Sequence, residues 1–254
     1  MSNSDPVNAK YYIPLERANL LSDLAFFAGA VLSIASLYLV KGGEPLLYNV
    51  VNISFALTVL LVFVGGLLIR FYYFPRAEGA RIQDFLGHAY SIDMTPTPTD
   101  AYYNNETKLP MKKMGAQLLE NSLFTKEIAS RMLRGTRVRY GLYVIIWLVL
   151  ILVRDVEFGF LLVASQLVFN EQVLAKWIKL EWLRYRAERT YEQIYRVFVN
   201  KLSGDKFNCS VMEYLTYYET SKMNASVQLS SRVFRKLNPA LSVEWETMRK
   251  SLGI

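Results

Sequence analysis

Apolar residues along the chain are gathered into four blocks set between polar, charged stretches. Residues 20–40 carry one charge, Asp23, near the start of the block, and residues 46–69 carry none before Arg70. Each is long enough for the roughly 30 Å of bilayer hydrocarbon, which takes about 20 helical residues. Lys41-Gly42-Gly43-Glu44-Pro45 between them is a tight turn, so residues 20–69 read as a transmembrane hairpin. The third and fourth blocks, residues 141–153 and 156–169, are shorter and are separated by Arg154, Asp155 and Glu157. They fit a second hairpin over residues 140–178 if the last span continues past Asn170-Glu171-Gln172 to Ile178. A re-entrant pair is the alternative.

The polar stretches have patterns of their own. Residues 1–19 form a polar amino-terminal segment. The block after them lacks a polar stop behind a small-residue cleavage site, so it reads as a retained helix rather than a signal peptide. Arg70-Phe71-Tyr72-Tyr73-Phe74-Pro75-Arg76 is an aromatic and basic exit from the bilayer. Within residues 70–139, Pro96 and Pro98 force an extended or turned path. Pro110 suits the first turn of an amphipathic helix over 111–134, with Met114, Leu118, Leu123, Ile128 and Met132 on it.

From Val173 to Val199 no Gly or Pro interrupts the chain, so the fourth block and this stretch predict one long helix, half in lipid and half in water. Val173, Trp177, Leu180, Arg184, Ala187, Tyr191, Ile194 and Phe198 alternate spacings of four and three. That is a coiled-coil seam or bundle face interrupted by Arg184. Trp177, Leu180, Arg184, Tyr191, Ile194 and Phe198 are its candidate oligomer contacts. Ser203-Gly204-Asp205 breaks the helix, a second piece is predicted over 209–237 ahead of Pro239, and Ser242 is read as the N-cap of a last short helix carrying Trp245 and Met248. The tail thus covers 179–254.

Charge then orients the spans. The two short connections hold one basic residue each, whereas ten Lys/Arg lie in residues 76–139 and fourteen after Val173. Positive residues stay on the cytoplasmic side. The expected fold is therefore an all-α membrane protein: four transmembrane helices in two hairpins, a cytoplasmic helical region, and both termini cytoplasmic.

Composition narrows the chemistry. The net charge is +7, and the chain has one cysteine, Cys209, and one histidine, His88. One cysteine permits no intramolecular disulfide, and one histidine excludes His-clustered metal sites and most His-based acid–base machinery. There is no glycine-rich phosphate loop, no Ser/His/Asp set and no zinc spacing. Catalysis, a cofactor and a metal are not expected.

Two groups of residues remain. Polar groups at membrane depth are costly and point to function; Gln166, Asn170 and Glu171 are the candidates for lining a pore, Gln166 and Asn170 sharing a helical face. The alternative is an interhelical hydrogen bond from Gln166 and a Glu171 that snorkels to the interface. The second group is Tyr102, Tyr103, Asn104, Asn105, Lys108, Lys112 and Lys113, joined by Arg131, Arg134 and Arg137. Aromatic faces, amides and cations suit single-stranded nucleic acid or a nucleotide, the rings stacking on bases and the cations meeting phosphates. Contact with anionic membrane lipid explains the same cations.

The order of two spans, a cytoplasmic segment with Tyr102-Tyr103-Asn104-Asn105, Leu109-Pro110 and Glu120-Asn121-Ser122, two further spans and a helical tail resembles the four-transmembrane effectors of bacterial anti-phage nucleotide-signalling systems. These include the SMODS-associated effectors and the Hailong-type channel effector. The resemblance implies a homo-oligomeric inner-membrane effector, a tetramer being favoured. It also implies a nucleotide or single-stranded DNA oligomer as ligand, a nucleotidyltransferase encoded nearby to make it, and an ion channel whose opening depolarises the membrane and arrests growth. A non-conducting scaffold whose tail recruits a cytosolic partner is the other reading of the same segments.

Overall fold

The computed structural model describes residues 5–42, 44–95, 107, 109–152, 158–168 and 174–254, without the side chains of residues 40–42, 162, 166 and 167. Among these residues the regular structure is helical throughout. The helices are α1 (Ile13–Gly42), α2 (Pro45–Leu68), α3 (Phe74–Tyr90), α4 (Pro110–Leu152), α5 (Phe158–Val168), α6 (Lys176–Val199), α7 (Gly204–Ala225) and α8 (Ser231–Leu252). Short π-helical turns, Asn8–Tyr12 and Ile69–Tyr73, lead into α1 and out of α2. Three helical stretches are long and apolar enough to cross a membrane: Asn8–Leu39, Pro45–Tyr90 and Pro110–Leu152. Val31, Leu61, Phe63 and Ile145, among many others, are more than half exposed, as side chains facing lipid would be.

The chain divides into two compact units. One comprises Pro14–Tyr73 and Gly135–Ile178. In it Ser22, Gly29 and Ser36, seven residues apart on α1, meet α2. A Cβ built on Gly65 would lie 3.9 Å from Ser22 Oγ, one on Gly29 would lie 3.3 Å from Thr58 Cγ2, and Ser36 Oγ donates to Asn52 Oδ1 at 2.9 Å. In lipid no hydrophobic force joins helices, so close approach of small residues and internal hydrogen bonds must do so. The polar atoms are accordingly held within the unit: Asn52 Nδ2 donates to Tyr48 O and Thr58 Oγ1 to Ser54 O. α5 meets α1 where Gly159 lies against Leu37 and Phe160 against Tyr38, and meets α4 where Trp147 Nε1 donates to Ser165 Oγ at 2.8 Å. Further along, Lys176 pairs with Asp23 at 3.1 Å and Trp177 with Tyr140, ring centroids 5.9 Å apart.

The other unit comprises Met1–Ile13, Phe74–Arg134 and Lys179–Ile254. Its core joins Phe85 of α3, Met114, Leu118 and Leu123 of α4, Ile194 and Phe198 of α6, Val211 and Tyr218 of α7, and Trp245 of α8. Gly115 lets α4 pack this closely, since a Cβ there would stand 3.2 Å from both Phe198 Cζ and Val211 Cγ2.

Three predicted boundaries are corrected. The helix expected over 111–134 does not stop there: it continues through the third apolar block to Leu152. Gly135 and Gly141 lie in open space inside it, and a glycine in a helix costs only about 1 kcal/mol. The piece expected over 209–237 is two helices parted after Ala225, where Ser226 takes a left-handed φ of 48°. Ser242 is not an N-cap. It lies inside α8, whose N-cap is Ser230, its Oγ accepting from Val233 N. Pro239 sits within that helix, and burial of Leu241 and Trp245, four apart on one face, offsets the lost hydrogen bond. The predicted rod over 156–199 appears in its described parts as α5 and α6; residues 169–173 lie outside the described residues.

Candidate functional site

A buried charged cluster in the unit of Met1–Ile13, Phe74–Arg134 and Lys179–Ile254, drawn from residues 5–12, α3 and α7, was not among the sites expected from the sequence. Tyr12 Oη donates to Glu78 Oε1 at 2.7 Å, and Lys222 Nζ lies 2.7 Å from the other oxygen, Oε2, and 3.2 Å from Glu219 Oε2. The side chains of Glu78, Glu219 and Lys222 are 6%, 17% and 18% exposed. Tyr218 Oη shares a 2.7 Å hydrogen bond with Thr125 Oγ1 and donates to Asn121 O. Around Tyr12, Arg81 pairs with Asp5 at 2.8 Å and lies over the Tyr12 ring, while Gln228 Nε2 donates to Tyr12 O. Residues 5–12 are therefore bound into the folded unit.

Burial of Lys222 disfavours its charge, but Glu219, Glu78 and the neighbouring phenols outweigh that and raise its pKa well above 10.5. Burial raises the Glu219 carboxyl, with Lys222 opposing and Glu78 adding to the rise. Burial likewise keeps the Tyr218 phenol protonated well past its usual range. The members pair with one another across 2.7–3.2 Å, so the cluster ties residues 5–12, α3 and α7 together. Glu78 and Lys222 stand 144 positions apart, and no periodicity in either segment marks them as partners. The one local signal is Glu219 and Lys222 at i,i+3.

The predicted ligand contacts are scattered. Tyr102, Tyr103, Asn104, Asn105 and Lys108 lie outside the described residues. Lys112 Nζ donates to Gly253 O at the end of α8. Lys113 lines a cavity of about 260 Å³ with Gln83, Asp84, His88 and Asp93. His88 is in contact with the fully buried Gln117 through Nδ1, and Gly87 is required because a Cβ there would stand 2.7 Å from Ile92 O. Two carboxylates beside one ammonium make this cavity a poor cradle for phosphate. Arg131, Arg134 and Arg137 are exposed along α4.

Of the pore candidates, Asn170 and Glu171 lie outside the described residues, as does the side chain of Gln166 on α5. The heptad residues are divided. Leu180, Ile194 and Phe198 are buried inside their own chain. Arg184 bridges Glu188 at 2.7 Å and Glu181 at 3.8 Å along α6, which is how a charge interrupts the apolar face. Tyr191 stacks on Tyr195, lies under Lys126 and donates to Met248 Sδ. Trp177 packs on Tyr140.

No protein family, no curated protein and no solved structure matches the chain.

Proposed function

We propose that the chain is a four-span inner-membrane effector in which a cytoplasmic helical unit gates an ion channel in response to an anionic nucleotide or single-stranded DNA oligomer. One observation carries the membrane part of this reading. Met1–Ile13, Phe74–Arg134 and Lys179–Ile254 fold into a single unit, and such a unit lies on one side of a bilayer. The chain therefore crosses an even number of times between Ile13 and Phe74, as α1 and α2 do, and again between Arg134 and Lys179. The outer half of α4 supplies one crossing of the second pair, and α5 with residues 174–178 supplies the described part of the return. Two contacts favour that return: Gly159 meets Leu37, and Lys176 meets Asp23. They cover fourteen residues of α1, about 21 Å at 1.5 Å per residue.

The functional part rests on the +7 charge, on the exposed Arg131, Arg134 and Arg137, and on the resemblance to anti-phage effectors. A basic surface raises the local concentration of an anionic ligand and does so less as salt rises. Both termini are cytoplasmic by the charge rule, a nucleotidyltransferase is the expected source of ligand, and channel opening would depolarise the membrane and arrest growth. A homo-tetramer is the favoured assembly. Because Leu180, Ile194 and Phe198 are buried within one chain, contact between copies falls to other surfaces.

The test is ion flux from liposomes holding purified protein, with short single-stranded oligonucleotides and mononucleotides added or removed. The expected result is a ligand-dependent change in flux that Arg131→Glu with Arg134→Glu abolishes together with oligonucleotide binding. Unchanged, salt-dependent binding by the double variant would overturn the phosphate assignment. Flux that never responds to any ligand would leave the scaffold reading, in which the tail recruits a cytosolic partner.

A further inference from the structure

The apolar unit of Pro14–Tyr73 and Gly135–Ile178 has an excess of basic residues at one end. At the end where α1 begins stand Arg17, Arg70, Arg137, Arg139 and Lys176 against Glu16 and Asp23 among the described residues.

The contacts within the unit bring the positive residues to the same end, within about two helical turns of one another. Ser22 faces Gly65, so Arg17 and Arg70, each five residues further out, lie about 7.5 Å beyond that contact on antiparallel helices. Lys176 meets Asp23 one residue from Ser22, and Trp177 meets Tyr140, which follows Arg139. Arg17, Arg70 and Arg139 are exposed. Beside Arg70, whose guanidinium lies 5.6 Å from the Phe71 ring centre, Phe71 and Tyr72 are 71% and 49% exposed. Cations at the level of amphipathic rings match the phosphate layer of a lipid headgroup region.

We propose that this collar of Arg17, Arg70 and Arg139 binds the headgroups of anionic phospholipid and selects it over zwitterionic lipid. Arg17 and Arg70 sit on helices that the small-residue seam holds together, so the collar is formed by the folded unit and not by free tails. Lys176 contributes less, because Asp23 neutralises it. The inference rests on the membrane reading above but requires neither a channel nor a nucleotide.

The experiment is native mass spectrometry of the full-length protein purified in detergent and titrated with equal amounts of phosphatidylglycerol and phosphatidylcholine. The expected result is preferential retention of phosphatidylglycerol. A charge at an anionic surface is worth about five-fold in binding, so Arg17→Gln, Arg70→Gln and Arg139→Gln together should lower that preference by at least about ten-fold. Each single variant should lower it in part, which keeps the test open if the triple variant does not fold. Equal retention of both lipids by the wild-type protein, or an undiminished preference in the single and triple variants, would overturn the proposal. Alkaline carbonate extraction of membranes is run beside it. Release of the wild-type chain by carbonate would instead overturn the membrane reading itself.

Discussion

Replacing Lys222 by methionine is expected to lower the stability of the unit built from residues 1–13, 74–134 and 179–254 by about 3–5 kcal/mol, the cost of leaving a buried charge without its partner. Lys222 is the cation between two carboxylates, Glu78 at 2.7 Å and Glu219 at 3.2 Å. Methionine keeps most of the volume and removes the charge, so the loss measures electrostatics and not a cavity. Thermal unfolding of the detergent-solubilised protein followed by circular dichroism reads it directly. Adding Glu78→Gln and Glu219→Gln to the variant should restore much of the loss, because no unpaired carboxylate then remains. A Lys222→Met protein as stable as wild type would remove the cluster's structural role.

The same cluster sets an alkaline limit. Lys222 and Tyr218 both hold their protons more tightly folded than unfolded, so their contribution is complete below the unfolded values of 10.5 and 10.0. It is lost as pH rises above about 10, because only the unfolded chain releases those protons there. The difference in melting temperature between wild type and Lys222→Met should be steady at neutral pH and shrink above that value. Glu219 acts at the other end: its raised carboxyl favours the folded state more as pH falls through the folded value towards 4.5.

Trp245→Ala is the second large effect. Trp245 has no exposed surface and sits in the core with Phe85, Leu118 and Ile194. Truncating a buried tryptophan costs about 3–5 kcal/mol, or roughly 10 °C in melting temperature for a unit of this size. Val243, two positions away on the same helix and 68% exposed, is the control: Val243→Ala should change stability by no more than about 0.5 kcal/mol. Equal effects at the two positions would contradict the placement of α8.

The contrast between these two residues shows where the sequence was legible. The first two helices long and apolar enough to span a membrane were readable because lipid demands one uniform property, apolarity, over a fixed length. The break at Ser203-Gly204 was readable because Gly204 takes a left-handed φ of 58° beside an extended Ser203. The end of the amphipathic helix was misplaced because glycine at 135 and 141 weakens a helix without ending it, and tertiary context carried α4 through. Ser242 reads as an N-cap because Pro239 reads locally as a helix stop, whereas burial of Leu241 and Trp245 favours keeping α8 whole. The heptad of α6 left a coiled-coil seam and a bundle face open, and Ile194 and Phe198 pack within the chain. Beyond Glu219 and Lys222 at i,i+3, nothing in either segment's pattern marks Glu78 and Lys222 as partners. Complementary charges far apart in sequence carry no period.

The account depends most on the three segments of the helical unit sharing one side of the membrane. Cys209 is the sole cysteine and is exposed, so it is a native reporter for a membrane-impermeant maleimide. In a Cys209→Ser background, Ser91→Cys and Glu44→Cys place reporters at exposed positions after α3 and between α1 and α2. Labelling in intact spheroplasts is compared with labelling in inverted membrane vesicles. The expected result is that Cys209 and Ser91→Cys react only in inverted vesicles and Glu44→Cys only in spheroplasts. Reaction of Ser91→Cys and Cys209 from opposite faces would contradict the account.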